Sequence, residues 1–205
     1  RRAAFEARRE KKLALLDRLG KEKEARGAAI AEMEDAARAL EGAFEALRAI
    51  APPPPAALEA APEGRDAGPR ERFSALRGRV PMPVEGRIVK KFGLRADPTL
   101  GTRIHSNGIT VRAPYGAPVL SVADGRVLYA GWFRGYGRIL ITDHGEGYYT
   151  LVAHASELRK QVGDRVRKGE LIARVGDSGS LDGPKLYFEI RARGKPVDPM
   201  PWLGR

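Results

Sequence analysis

His105, His144 and His154 are all the imidazole the chain offers, and it has no cysteine. Disulfides and thiolate metal centres are therefore excluded, and any histidine-based metal site has to be built from these three residues. His144 lies in Asp143-His144-Gly145, a turn signature between two apolar runs, which predicts a solvent-exposed turn residue. Toward the C-terminus, Lys185, Tyr187, Glu189 and Arg191 occupy every second position of an otherwise apolar run. In a strand such residues share one face, presenting an ammonium, a phenol, a carboxylate and a guanidinium together. Tyr and Arg are the side chains most often found as interface anchors, so this face is a candidate binding surface. The alternative at the same positions is structural: Tyr187 fills a cavity and Arg191 pairs with Glu189.

Such a strand has to be held in a sheet. From about residue 80, short alternating runs separated by Gly, Pro and Asp predict strands near 87–92, 109–112, 118–122, 125–132, 138–143, 148–154, 171–175 and 185–192. Asp124-Gly125 and Gly163-Asp164 mark tight turns. Strands and helices do not alternate, which argues against a doubly wound parallel sheet. Residues 80–205 are thus expected to form an antiparallel β domain. Residues 1–50 differ: they lack proline and are rich in Ala, Glu, Arg, Lys and Leu, all strong helix formers. Ile30, Met33, Ala37, Leu40, Phe44 and Leu47 step by 3, 4, 3, 4 and 3, a heptad seam; Leu13, Leu16 and Gly20 extend it more loosely. The seam predicts a coiled coil with a second helix, with packing on the chain's own β domain as the alternative. Between them, residues 51–79 open on Pro52–Pro55 and contain Gly64, Gly68 and Pro69, the composition of a linker, with helix-capable stretches at 56–61 and 71–76. The expected fold class is α + β: an N-terminal coiled-coil helical region followed by an antiparallel all-β domain.

At 205 residues, one domain with an appendage or two small domains fit. The formal charge of +11 is uneven: 12 basic and 10 acidic residues in 1–50 (+2), 5 and 4 in 51–80 (+1), 20 and 12 in 81–205 (+8). The β domain therefore suits an acidic protein surface, an anionic wall polymer or nucleic acid. No nucleic-acid fold signature is present and aromatics do not interleave with a basic run, so nucleic acid is set aside. No apolar run approaches the ~18 residues of a membrane span. Asn107 and Gln161 are the only side-chain amides and Arg outnumbers Lys 27 to 10, which fits a thermophile or a GC-rich genome. The chain begins at Arg1 rather than Met and is expected to be a piece of a longer protein, so the lack of a signal peptide excludes no compartment.

Residues 105–123 read HSNGITVRAPYGAPVLSVA, followed by DGRVLYAGWFRGYG, ITDHGEGYYTLVAHAS, VGDRVRKGELIARVGDSG and LYFEIRARGKPVDPMPWL. Over roughly residues 83–203 this is similar to the LytM domain, the lysostaphin-type zinc endopeptidase fold. The preceding helix and the ending Pro201–Arg205 resemble the EnvC-type murein hydrolase activators. The resemblance implies that active members hold zinc through His-x-x-x-Asp and the last His of His-x-His, leaving an open position for a water activated near pH 7. Anchored on Gly108-Ile109, the first ligand position falls on Ser106, the aspartate on Thr110, and the His-x-His positions on Lys185 and Tyr187. His154 retains the histidine of a Tyr-x-His segment, with Val152 in place of its tyrosine. No metal, cofactor or catalytic residue is therefore expected. His105 adjoins Ser106 but points to the opposite face of an extended segment. The stretch 162–173 also resembles biotinyl and lipoyl carrier hairpins with Lys168 at the turn, but it lacks their apolar neighbours, and LytM domains contain the same hairpin.

The former ligand positions define a groove of Ser106, Thr110, His154, Lys185, Tyr187 and Arg191. The resemblance implies a non-enzymatic activator of cell-wall amidases in daughter-cell separation, periplasmic and at the division site. The groove would bind the amidase, and the coiled coil would dock on an FtsEX-type membrane complex. Two other readings stand beside it: a divergent zinc endopeptidase cutting peptidoglycan crosslinks, and a passive peptidoglycan-binding module held by charge. Residues 55–76 are the expected cover of the groove at rest, because 55–66 carry Glu59, Glu63 and Asp66 against Arg65, and Leu58, Phe73 and Leu76 have no evident core.

Overall fold

The computed structural model describes residues 2–50, 71–96, 103–180 and 182–204. One long helix, α1 (Arg2–Ile50), ends two residues before Pro52, as expected where the residue preceding a proline is barred from helical geometry. Its 49 residues span roughly 74 Å at 1.5 Å each. A 3₁₀ turn at Phe73–Leu76 leads into β1 (Arg87–Lys90), β2 (Gly93–Ala96), β3 (Arg103–Ser106), β4 (Ile109–Arg112), β5 (Pro118–Leu120) and β6 (Gly125–Phe133). There follow β7 (Gly137–Asp143), β8 (Tyr148–Leu158), β9 (Arg165–Val166), β10 (Leu171–Val175), β11 (Leu186–Ala192) and β12 (Lys195–Val197). The eight expected strands are all present. The β2–β3 hairpin and the short β9 and β12 had no alternating run long enough to announce them.

The main sheet runs β1-β4-β11-β8-β7-β6-β9 with antiparallel neighbours, and β2 pairs only with β3. Strand β11 lies at its centre, between β4 and β8. Gly108, just before β4, has to be glycine: a Cβ there would sit 2.3 Å from the Phe188 carbonyl oxygen of β11.

Alternation gives the sheet two buried faces. On one, Ile109, Val111, Leu140, Val152, Leu186, Phe188 and Ile190 form the main core with Val80 and Trp202. Phe73 and Leu76 belong to this core: Phe73 stacks on Tyr148 at 5.2 Å and meets Trp202 at 5.4 Å. They are not part of a cover, and the β domain's packing starts by residue 73 rather than 80. Leu58 and the rest of 51–70 lie outside the described residues.

The other face carries α1. Leu40 and Phe44 pack on Ile139, Ile141, Leu151, Ala153 and Tyr187, with Leu47, Leu128, Tyr129 and Phe133 around them. Ala36 is also buried, and Gly135, at φ +79, approaches so closely that a Cβ on it would lie 2.5 Å from the Ala36 methyl. The C-terminal half of the seam is thus spent on the chain's own sheet. Met33 remains 49% exposed, and Ala36 rather than Ala37 is the buried alanine. In the N-terminal half, Leu13, Leu15, Leu16 and Leu19 are exposed. The sequence alternative of a helix packed on its own domain is what residues 36–47 do, because a sheet face rich in Ile, Leu and Tyr offers them the same burial a second helix would.

Candidate functional site

Tyr187, Glu189 and Arg191 alternate toward α1 from β11, opposite the core-facing Phe188 and Ile190. The face exists as expected, but it is not open. Arg191 is 1% exposed. Its Nε donates to Glu189, its Nη1 to the Gly194 carbonyl at 3.2 Å, and its Nη2 to Glu41 of α1 at 2.7 Å. The Tyr187 hydroxyl donates to the second Glu189 oxygen at 2.9 Å. The Phe44 ring lies 4.5 Å from the guanidinium carbon, a cation–π contact, and meets Tyr149 edge-on at 5.0 Å. One guanidinium thus serves two carboxylates, one from the sheet and one from the helix. Burial pushes the Glu189 pKa up and Arg191 opposes it. Burial, then the Glu189 charge, pushes the Tyr187 and Tyr136 phenols up, so both stay protonated. Both structural alternatives at this strand are realised, with Tyr187 filling space and Arg191 paired to Glu189, and α1 closes over them.

The remaining groove positions surround the neighbouring end of β11. Thr110 is in register with Tyr187, as is Ala153 on the other side. His154 follows Ala153 at φ +65, an extra residue in the strand: Ala153 faces α1, while Ala155, two residues on, faces the main core. The His154 Nδ1–H donates to the Ser178 carbonyl at 2.8 Å. Burial first, then Lys185 and Lys90, lower its pKa to about 4 against the Ser178 bond, so it is neutral. Lys185 pairs with Asp182 at 3.3 Å, and Lys90 reaches the same carboxylate at 3.7 Å. Ser106 donates its hydroxyl to the Gly108 carbonyl at 2.8 Å.

This donor set does not fit zinc. Tyr187 is a protonated phenol held by Glu189, the Ser106 hydroxyl is turned to a backbone carbonyl, and Lys185 adds a cation among the former ligand positions. Among the described residues no group of three His, Cys, Asp or Glu side chains converges. The outlying histidines do not repair it. His105 stands exposed on the β2–β3 hairpin against Phe92. His144 is not the solvent-exposed turn residue its setting predicted. Its Nδ1–H donates to the Asp124 carbonyl at 2.7 Å, its Nε2 accepts from Thr150 at 2.8 Å, and its ring stacks on Phe73 at 4.9 Å. Burial lowers its pKa to about 4.

Residues 104–199 match the family model of peptidase family M23. The β domain is a LytM domain of that family. It is 39% identical over 133 residues to the murein hydrolase activator EnvC of Escherichia coli, covering 65% of this chain and 31% of that protein. It is 35% identical over 136 residues to the cell division protein DipM of Caulobacter vibrioides, covering 63% and 22%. The DD-carboxypeptidase/endopeptidase Mpg of Neisseria meningitidis is 43% identical over 115 residues, covering 56% and 26%. The matched region spans less than a third of each of these relatives. Among solved structures, a zinc-containing peptidase from Vibrio cholerae superposes with TM-score 0.55 at 34% identity, covering 58% of this chain and 38% of that one. The catalytic domain of lysostaphin from Staphylococcus simulans shares the fold at TM-score 0.50, covering 57% and 91%. The LytM domain here keeps that scaffold with a degenerate metal site.

Sequence reading missed Glu41. Its signal was available: an acidic residue beside the seam positions Leu40 and Phe44. Nothing in the sequence said that its cation would be Arg191, 150 residues away.

Proposed function

We propose that this protein is a non-enzymatic activator of cell-wall amidases, acting outside the cytoplasmic membrane in cell division. The observation that carries the reading is the donor set: a LytM scaffold whose ligand positions hold Ser106, Thr110 and Tyr187, on a chain related to named activators and a cell division protein. The amidase would bind the β11 face through Tyr187 and Arg191, with Ser106, Thr110, His154 and Lys185 at its border. Because α1 covers Tyr187 and Arg191, activation requires residues 36–47 to move off. The cover is therefore α1, in place of the 55–76 segment. The exposed Leu13, Leu15, Leu16 and Leu19 give the other half of α1 an apolar surface for a second partner, for which an FtsEX-type membrane complex is the candidate. No described helix is long and apolar enough to cross a membrane itself.

The test is release of dye from labelled cell walls by an amidase of the same organism. The intact chain alone should release nothing, and Leu40→Asp, which frees α1, should stimulate the amidase more than the intact chain does. Chelator-sensitive release by the chain alone would replace this reading with the divergent endopeptidase. Absence of stimulation by either form would leave the passive wall-binding module.

A further inference from the structure

The sheet face that α1 leaves free ends in an exposed tryptophan. Cross-strand register places Trp132 of β6 opposite Arg138 of β7, and Arg138 opposite Ala155 of β8. Phe133 and Ile139, their chain neighbours, face α1, so Trp132 and Arg138 point to the other side. There Ala130, Leu140 and Leu158 belong to the main core or its margin, but the core stops short of Trp132, which is 61% exposed. With Gly131, Ser156, Glu157 and Leu158 it lines an open cavity of about 480 Å³, within the ~300–1,000 Å³ of small-molecule sites.

The cavity is built rather than frayed. The Tyr129 hydroxyl donates to the Trp132 carbonyl at 3.0 Å and fixes the strand beneath the indole. Arg138 is held at one corner, Nη1 donating to the Ser156 carbonyl at 3.0 Å. Among the described residues no acceptor engages its Nε or Nη2, and no carboxylate pairs with it. The one acid at the rim, Glu157, is taken by Arg159 at 2.9 Å and Arg174 at 3.8 Å. The edge of a guanidinium formed by Nε and Nη2 matches the two oxygens of a carboxylate.

We propose that this cavity binds a sugar of the wall glycan bearing a free carboxylate. A pyranose presents a flat C–H face that lies on an indole, and its hydroxyl and acetamido groups suit the polar backbone around Ser156, whose own hydroxyl donates to the Val175 carbonyl at 2.9 Å and keeps only its lone pairs for a ligand. The carboxylate takes the open edge of Arg138, in a domain whose excess charge of +8 (20 basic against 12 acidic residues in 81–205) favours an anionic polymer. The choice of a wall sugar rests on the proposed function, and it specifies that function further. An amidase hydrolyses the amide joining the lactyl carbonyl of the glycan to the stem peptide. Water supplies the hydroxyl to that carbonyl carbon and a proton to the departing amine, so the glycan keeps a carboxylate. The ligand is therefore the product strand of the enzyme the protein would activate. It is held on a surface that stays open while α1 is docked.

The experiment is titration of the full chain with three soluble probes, read by tryptophan fluorescence and calorimetry: peptide-free glycan strands, the same strands with carboxylates methyl-esterified, and strands still bearing peptides. Trp132 is exposed and Trp202, the only other tryptophan, is buried, so a blue shift on binding reports the cavity. Peptide-free strands should bind, and esterified and peptide-bearing strands at least tenfold more weakly. Trp132→Ala and Arg138→Gln should each lose tenfold or more with unchanged melting, since both side chains are exposed. Equal affinity of either variant for peptide-free strands, or equal affinity of the intact chain for esterified strands, overturns the assignment. Amidase stimulation is measured in parallel on soluble substrate. If it is absent while the binding pattern holds, the activator reading fails and the sugar site stands.

Discussion

Leu40→Asp separates two arrangements of α1 that the heptad seam alone treats as equal. In a coiled coil, Met33 and Leu40 are equivalent seam positions. Here Leu40 is 1% exposed against Ile139, Ile141, Leu151 and Ala153, while Met33 is 49% exposed. Burying Leu and Phe stabilises by about 1.5–3 kcal/mol each, so Leu40 and Phe44 supply some 3–6 kcal/mol of the docking. Deleting the Leu40 side chain alone costs about 2–5 kcal/mol, and a carboxylate in its place costs several more unless the helix lifts away. The helix escapes by lifting away, so the docking equilibrium shifts at least a hundredfold, about 2.7 kcal/mol. Hydrogen exchange of amides 36–47 should accelerate by that factor in Leu40→Asp while amides of β8 and β11 keep their protection. Met33→Asp should leave exchange unchanged. Equal effects of the two substitutions, or none from Leu40→Asp, would refute the docked helix and restore a seam facing another chain.

Four further outcomes follow. Ala36→Leu should loosen α1 without unfolding the sheet, because Gly135 lies so close to the Ala36 methyl that a larger side chain there has no room; protease cleavage within α1 measures it. Arg191→Leu should destabilise by about 3–5 kcal/mol by leaving Glu189 buried and uncompensated, whereas Arg191→Leu with Glu189→Leu should cost much less in urea denaturation. Stability should fall as pH drops from about 6.5 to 4: the folded pKa of His144, about 4, lies below its ordinary value of 6.5, so the unfolded chain binds the proton first, and the loss approaches about 3 kcal/mol for this residue. His154, lowered to about 4 as well, adds a similar share, so His144→Gln should roughly halve that slope in the urea midpoint between pH 7 and 4.5. Elemental analysis of the purified chain should find no stoichiometric zinc.

The strands were legible because alternation survives in each of them, and the loss of zinc ligands was legible because ligand chemistry is a matter of residue type. What the alternating run of β11 did not disclose is what lies over it. Sequence placed Tyr187 and Arg191 on a face and left two uses open, and three-dimensional packing selected the buried one. The same limit applied to Phe73 and Leu76. They were without neighbours in the sequence, and the partners of Phe73 (Tyr148 and Trp202) lie 75 or more residues away. His144 looked like a turn residue because its hydrogen-bond partners, Asp124 and Thr150, sit on other segments. Trp132 gave no signal, since an exposed aromatic at the end of a strand has the same pattern as a buried one.

The position of β11 in the sheet has a consequence for the order in which the parts of the fold can form. Its neighbours β4 and β8 precede it in the chain, yet neither can pair across the gap until residues 186–192 are in place. Such distant pairings close slowly, while helical contacts are local and form early. The pairing of β11 with β4 and β8 also completes the seat for Leu40, Phe44 and Glu41, which Ile139, Ile141 and Leu151 of β7 and β8 begin. Docking of residues 36–47 is therefore tied to one of the slow steps of folding, and a chain stalled before that step would leave both the helix face and the β7–β8 face exposed.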